Sequence, residues 1–212
     1  MGGYFQTTKT DAGWNYNIGK SAWNIDVLAY KEIAQLPTPI QDRFISDMAQ
    51  NRHFKDRFII WANSIIENGD NKGFEEITLT WITPKQIKRI RKDGYKFNSP
   101  IVVIQDDQIP HSYHEKTPKQ KLTQSEYLTM YDIINNYDEL YYDITKYNEY
   151  SDSIGLVYVR LIPNSDKCIK VCTRFNEITK IDNKNLPITR VTTVAKVLHS
   201  SLGVKTKYKK IE

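Results

Sequence analysis

An α+β fold is predicted by three observations on this sequence. Helical hydrophobic periodicity dominates residues 21–67, period-two alternation dominates from about residue 139, and capping, Gly and Pro signals punctuate the chain between them. Helices first and strands later describe helices packed on an antiparallel sheet. The chain has 212 residues, 40% hydrophobic and 12% aromatic, enough to bury a core and to exclude wholesale disorder.

Residues 1–19, rich in Gly, Asn, Thr and Tyr without periodicity, read as a flexible N-terminus. Residues 20–76 form a helical region. Ser21 caps a first helix with Trp23, Val27, Tyr30 and Ala34 near one face, stopped by Pro37. Thr38-Pro39 opens a second, with Ile40, Phe44 and Met48 at i, i+4, i+8. Residues 53–67 form a third on the stripe Phe54, Phe58, Trp61, Ile65, closed by Gly69 and Gly73.

Residues 77–200 form the α+β domain proper. Ile77 to Trp81 reads as a half-buried strand, and Thr83-Pro84 starts a short basic helix (Lys85, Lys88, Arg89, Arg91, Lys92) ended by Gly94. Ile101–Gln105 is a short buried strand, and 106–122 a polar loop. The capping box Thr123-Gln-Ser-Glu126 opens a helix through about Asn135. Strands follow at about 139–143, 155–162, 167–175 and 187–195. Turns fall at Asn148–Ser153, Pro163–Asp166 and Ile181–Asn185. Residues 201–212, with Lys205, Lys207, Lys209 and Lys210, read as a mobile basic tail adding non-specific phosphate attraction.

Composition excludes several classes of function. The longest apolar runs, such as Ile101-Val102-Val103-Ile104, fall far short of the ~20 residues of a membrane span. Met1 to Trp14 holds no apolar signal segment, and two cysteines suggest a reducing compartment or indifference to redox. Cys168 and Cys172 would lie about 13 Å apart along a strand, too far to share an ion or a disulfide. The net charge of +5 is unevenly spread. Residues 101–155 carry 4 basic and 10 acidic side chains, whereas 156–212 carry 12 and 4. A segregated basic face suits a polyanion, although a lysine-rich solvated surface gives the same totals.

The densest concentration of reactive groups is the loop Asp106-Asp107-Gln-Ile-Pro110-His111-Ser-Tyr113-His114-Glu115-Lys116-Thr117. His111 and His114 with Lys116 suit RNA cleavage without a metal: one group takes the 2′-OH proton, another protonates the leaving 5′-oxygen, and a cation stabilises the phosphorane. Functionless surface loops also carry such side chains. His-x-x-His-Glu is not the zinc-protease helix, and Pro110 argues against any helix here, so neither metal nor cofactor is expected. Strand parity places Tyr158, Arg160, Lys170 and Arg174 together on the exposed sheet face, where guanidiniums grip phosphate and a ring stacks a base. An ordinary charged solvent face has the same pattern. Thr189, Arg190, Thr192 and Thr193, then Lys196 and His199, would complete the site, although threonine is equally an ordinary strand residue. His53 reads as a helix-surface residue. Tyr113, among 9 of the 14 tyrosines lying in 113–158, reads as a further stacking platform, although most of these rings suit packing as well.

The order of these features is familiar. The basic helix, Ile101-Val102-Val103-Ile104, the loop with His111, His114 and Lys116, and the helix opened by Leu122-Thr123 come first. Tyr141-Tyr142-Asp143, Gly155-Leu-Val-Tyr-Val and Lys170-Val-Cys-Thr-Arg-Phe-Asn176 follow. Over roughly residues 77–197 this resembles the phage-associated nuclease domains of the barnase/EndoU/colicin/RelE-like superfamily, found in Mu-type minor head (head morphogenesis) proteins and related toxins. The resemblance implies N-terminal helices on a roughly four-stranded antiparallel sheet, and metal-independent endoribonuclease activity on its exposed face. It matches His111 to the proton-transfer histidine, Lys116 to a nearby basic residue and Arg174 to the basic position of the penultimate strand. His114 stands where an Arg is expected. RNA, virion proteins or an inhibitory immunity protein are then the expected partners, in a bacterial host cytoplasm or a virion.

Two functions are therefore carried forward. In the first, His111, His114, Lys116, Arg160 and Arg174 cleave RNA bound by Tyr113, Tyr158, Lys170, Arg190 and Thr192. In the second, a non-catalytic module binds nucleic acid or a virion or host protein through the basic sheet face or the helices of 21–67. A metal hydrolase ranks last.

Overall fold

The computed structural model of the chain describes residues 5–10, 13–18, 34–42, 54–68, 75–113, 117–118, 120–145, 147–148, 151–152, 154–181 and 183–212. Its centre is a seven-stranded mixed sheet. In chain order its strands are β3 (Glu76–Trp81), β4 (Ile101–Gln105), β5 (Glu139–Asp143), β8 (Gly155–Leu161), β9 (Lys167–Ile181), β10 (Lys184–Leu198) and β11 (Tyr208–Lys210). Across the sheet they run β11-β5-β8-β9-β10-β4-β3, antiparallel except for the parallel pair β10–β4. The fold is therefore α+β, but with more strands than four and with one parallel junction. β1 (Phe5–Thr10) and β2 (Gly13–Ile18) form a separate antiparallel hairpin where no periodicity predicted an element. β6 (Tyr147–Asn148) and β7 (Ser151–Asp152) pair across the expected turn.

The described helices are α1 (Phe54–Asn68), α2 (Pro84–Lys92), α3 (Gln108–Tyr113), α4 (Gln124–Leu128) and α5 (Met130–Asn135). Residues 38–42 are also helical, following the Thr38-Pro39 signal, while the expected helical positions 21–33 and 43–53, including His53, lie outside the described residues. Both capping boxes form. The Thr83 and Thr123 side chains accept from the N–H groups of Gln86 and Glu126, whose side chains accept in return from the capping residues' N–H groups. α2 stops at Gly94, which takes φ +84° without the Cβ penalty. The helix expected from Thr123 to Asn135 breaks at Thr129, whose hydroxyl donates to the Glu126 carbonyl.

One sheet face carries the main core. Phe58, Ala62 and Ile65 of α1, Ile87 and Ile90 of α2, Tyr127 and Ile133 pack on Leu79, Val102, Leu156, Tyr158, Val171 and Val194. The other face carries two smaller apolar clusters. One gathers Leu36, Ile40 and Phe54 on Ile101, Val103, Leu186 and Ile188. The second gathers Tyr141, Val157, Val159, Cys168, Cys172 and Leu202. Cys168 and Cys172 are both buried there and form no disulfide.

The C-terminal segment is not a mobile arm. β11 pairs with β5, Ile211 packs against the main core, and the Leu140 N–H donates to the Glu212 carbonyl at 3.0 Å. Tyr208 joins the second cluster and accepts from Lys170 Nζ at 2.8 Å. Lys210 Nζ donates to Glu139, which also accepts from Tyr141 and bonds His199 Nε2 at 2.7 Å. The sequence shows only charge in these lysines; the alternation of Tyr208, Lys209, Lys210 and Ile211 lets apolar groups face inward while ammoniums reach carboxylates.

Two expectations follow. A Cβ at Gly155 would lie 1.6 Å from the Thr173 carbonyl oxygen, so Gly155→Ala destabilises the fold by about 3 kcal/mol or more; an unchanged denaturation midpoint would refute the close approach. Burial alone would raise Glu139, but the bonds from Lys210, His199 and Tyr141 outweigh it and hold the carboxyl down to about 2, below its ordinary 4.5. Its stabilisation, about 2–3 kcal/mol, is complete above pH 4.5 and is lost as pH falls towards 2. Glu139→Gln should lower stability at neutral pH and flatten the acid limb in that window, as followed by urea unfolding across pH.

Candidate functional site

β4 and β10 pair in parallel only at Thr189–Val102 and Arg190–Val103; β4 ends two residues later at Gln105 while β10 runs on to Leu198. α3 fills the gap this leaves. Its Ile109 is fully buried in the main core, and its Ser112 hydroxyl accepts from the Val194 N–H at 3.3 Å. Those anchors leave His111 exposed between them. Pro110 does not prevent this helix, contrary to expectation. It sits in the first turn, where an N–H would have no intrahelical acceptor, and His111 N–H bonds back to the Asp107 carbonyl.

An open cleft of about 740 Å³ lies at this junction, lined by His111, Arg174, Glu177, Arg190, Thr192 and Thr193, with Gln105, Asp107, Gln108 and Pro110. Two irregularities aim these side chains. β10 shifts register against β9 between Ile188 and Arg190 and again between Val191 and Thr193, so Thr192 and Thr193 both line the cleft instead of alternating away from each other. On β9, Asn176 takes φ +58°. Arg174 pairs with Arg190 and Glu177 with Ile188, so the extra residue returns Glu177 to the face of Arg174. The Asn176 side chain holds the kink by accepting from the Asn98 N–H and donating to the Lys96 carbonyl.

Carboxylates accompany both guanidiniums. Arg190 lies 3.7 Å from Glu177 and 4.0 Å from Glu76, and donates to the Ile178 carbonyl. Its buried Nε–H meets no acceptor. Arg174 lies 3.8 Å from Asp143. The cleft thus combines one imidazole, two guanidiniums, two carboxylates and two hydroxyls. Among the described residues, no group of three or more His, Cys, Asp or Glu side chains is placed to hold a metal ion.

Of the residues singled out in the sequence, the cleft gathers His111, Arg174, Arg190 and Thr192, with Thr193 beside them. His114 and Lys116 lie outside the described residues. The expected surface of Tyr158, Arg160, Lys170 and Arg174 does not form. The connection 162–166 sets Leu161 opposite Cys168, so Arg160 pairs with Ile169 and Tyr158 with Val171, on the main-core face. Lys170 pairs with Val159 on the opposite face. Tyr158 is wholly buried beside Tyr137, and burial drives its phenol far above the ordinary range. Arg160 binds Asp138 and the Asn136 carbonyl. Burial would lower Lys170, yet Cys172, the Tyr208 hydroxyl and Asp143 raise it above its ordinary value. Tyr113 is half-buried, edge-on to Tyr127 and beneath Lys121. Thr189 donates to the Ser99 carbonyl, Lys196 pairs with Glu126 and His199 with Glu139, so none of these completes the cleft.

Glu177 is the residue that sequence reasoning missed. Simple alternation from Arg174 sends it to the opposite face; the one available signal is Asn176, a residue type that tolerates φ > 0 inside a strand pattern. Compared with known protein families, curated proteins and solved structures, the chain shows no match.

Asn176→Val should therefore cost about 2 kcal/mol, more than Asn176→Gly, because a β-branched residue resists φ > 0 while both lose the side-chain bonds. Equal losses in urea unfolding would refute the role of the kink.

Proposed function

We propose that this chain is a metal-independent endoribonuclease-like protein that cleaves RNA by attack of the 2′-OH on the adjacent phosphorus. The observation that carries the reading is the convergence of His111, Arg174, Glu177 and Arg190 on one open cleft, from a helix and, much later in the chain, two consecutive strands. The resemblance of residues 77–197 to phage-associated and toxin nuclease domains supports the same class.

In this reading Glu177 accepts the 2′-OH proton as the oxygen–phosphorus bond forms. His111, protonated, donates to the 5′-oxygen as its bond to phosphorus breaks, leaving a 2′,3′-cyclic phosphate and a 5′-hydroxyl. Arg174 and Arg190 face the charge that grows on the phosphorane, and the unsatisfied Nε–H of Arg190 gains an acceptor. Thr192 and Thr193 offer hydroxyls to ribose or base edges, and Gln105 and Gln108 offer amides. Glu177 takes the place given to His114 when the sequence was read alone.

A second reading is favoured by a specific observation: both guanidiniums already have carboxylate neighbours, Asp143 for Arg174, and Glu76 and Glu177 for Arg190. A cleft neutralised in this way also suits a non-catalytic module that binds nucleic acid or a virion or host protein.

Cleavage of single-stranded and transfer RNA in excess EDTA separates the two. The nuclease reading expects cyclic-phosphate products, with His111→Ala and Glu177→Gln each lowering the rate by about 10²-fold or more while unfolding midpoints stay native. Intact RNA under all conditions refutes it. Salt-sensitive binding that survives His111→Ala without turnover supports the module.

A further inference from the structure

The basic helix and the C-terminal lysines, more than a hundred residues apart in sequence, meet at one end of the molecule outside the cleft. Lys85 near the start of α2 bonds Glu212 at 2.7 Å. At the other end of α2, Asp93 accepts from Tyr142 of β5, the strand beside β11, and Lys209 lies 6.0 Å from both the Tyr142 and Tyr95 ring centroids. The helix therefore runs alongside β11 in the opposite direction.

Both of these neighbouring elements present exposed cations. Lys85, Lys88, Arg89 and Lys92 stand at i, i+3, i+4 and i+7, all exposed, on a stripe opposite the buried Ile87 and Ile90. Lys205, Lys207 and Lys209 are exposed along the approach to and course of β11. The carboxylates within this surface are already engaged: Asp93 with Arg89, and Glu212 with Lys85 and the Tyr137 hydroxyl. Among the described residues, Lys88, Lys92, Lys205 and Lys207 have no carboxylate partner.

We infer that the α2–β11 surface is a second binding site, for the phosphate backbone of a single-stranded nucleic acid. It rests on the RNA reading of the cleft only for the choice of polyanion, and it requires no cleavage. Charge complementarity carries it. Exposed ammoniums repeated along two side-by-side elements match a flexible chain of phosphates, and the helix is pinned by ion pairs that use its other cations. The lysines are point charges without an ordered bidentate geometry, which predicts binding insensitive to base sequence.

The test uses the full chain and a fluorescent single-stranded 2′-O-methyl oligonucleotide of about 20 nucleotides, which lacks the attacking hydroxyl and stays intact whatever the cleft does. Affinity is measured by anisotropy between about 50 and 200 mM salt. Replacing Lys88, Lys92, Lys205 and Lys207 together by Gln should weaken binding by about tenfold or more and lower the slope of log K against log salt by about 2–3. Replacing all four by Arg should keep both values. An unchanged affinity and slope in the Gln variant overturns the proposal, as does tighter binding of a poly-glutamate peptide than of the oligonucleotide. Cleavage of ordinary RNA by the Gln variant at saturating substrate reports on the cleft separately.

Discussion

The long antiparallel pairing of β9 with β10 is the constraint on which the rest of the structure depends. Each strand has 15 residues, roughly three times the length of β4 or β5. Their shared length gives β8 and β5 a template on one side and β4 and β3 on the other. It also accommodates irregularity. A strand held by thirteen pairs can absorb two register shifts, one of them at a left-handed Asn, without losing its neighbours, and those departures are what turn Arg174, Glu177, Arg190, Thr192 and Thr193 into one wall.

Local signals made much of the fold legible. Thr83 and Thr123 cap where the spacing says they should, and Asn164 and Asn183 take positive φ in the expected turns. Non-local facts were not legible. The face of Arg160 depends on how many residues the 162–166 connection contains relative to the pairing it closes, and a slip of one residue exchanges every side chain between faces. The parallel junction of β10 with β4 joins segments separated by most of the domain, and no periodicity encodes it. For the site, residue type carried the argument further than position did. His111, Arg174, Arg190 and Thr192 were visible as chemistry, but the surface that joins them was drawn through the wrong neighbours.

Charge was likewise informative in kind but not in disposition. The C-terminal excess of basic groups suggested one basic sheet face. In the structure these groups divide. Arg174, Arg190, Lys196 and Lys210 lie beside carboxylates, and Lys170 hydrogen-bonds a phenol. Such pairs, partly withdrawn from water, hold strands and helices in place. The ammoniums left over on α2 and the approach to β11 are the ones available for long-range attraction. Their exposure makes that attraction salt-dependent.

The carboxylates beside Arg174 and Arg190 bear directly on how the cleft would work as a nuclease. At 3.7 Å from Arg190, Glu177 is held beside the cation that would face the phosphate, where this reading needs its general base. A phosphate entering the cleft competes for the same guanidinium. Once phosphate takes that contact, the Glu177 carboxylate is released from the guanidinium and left to accept from the 2′-OH. Asp143 beside Arg174, and Glu76 beside Arg190, keep both guanidiniums oriented while this exchange occurs. The ion pairs within the cleft are, in this reading, also what holds its two cations ready for a phosphate and frees the Glu177 carboxylate when one arrives.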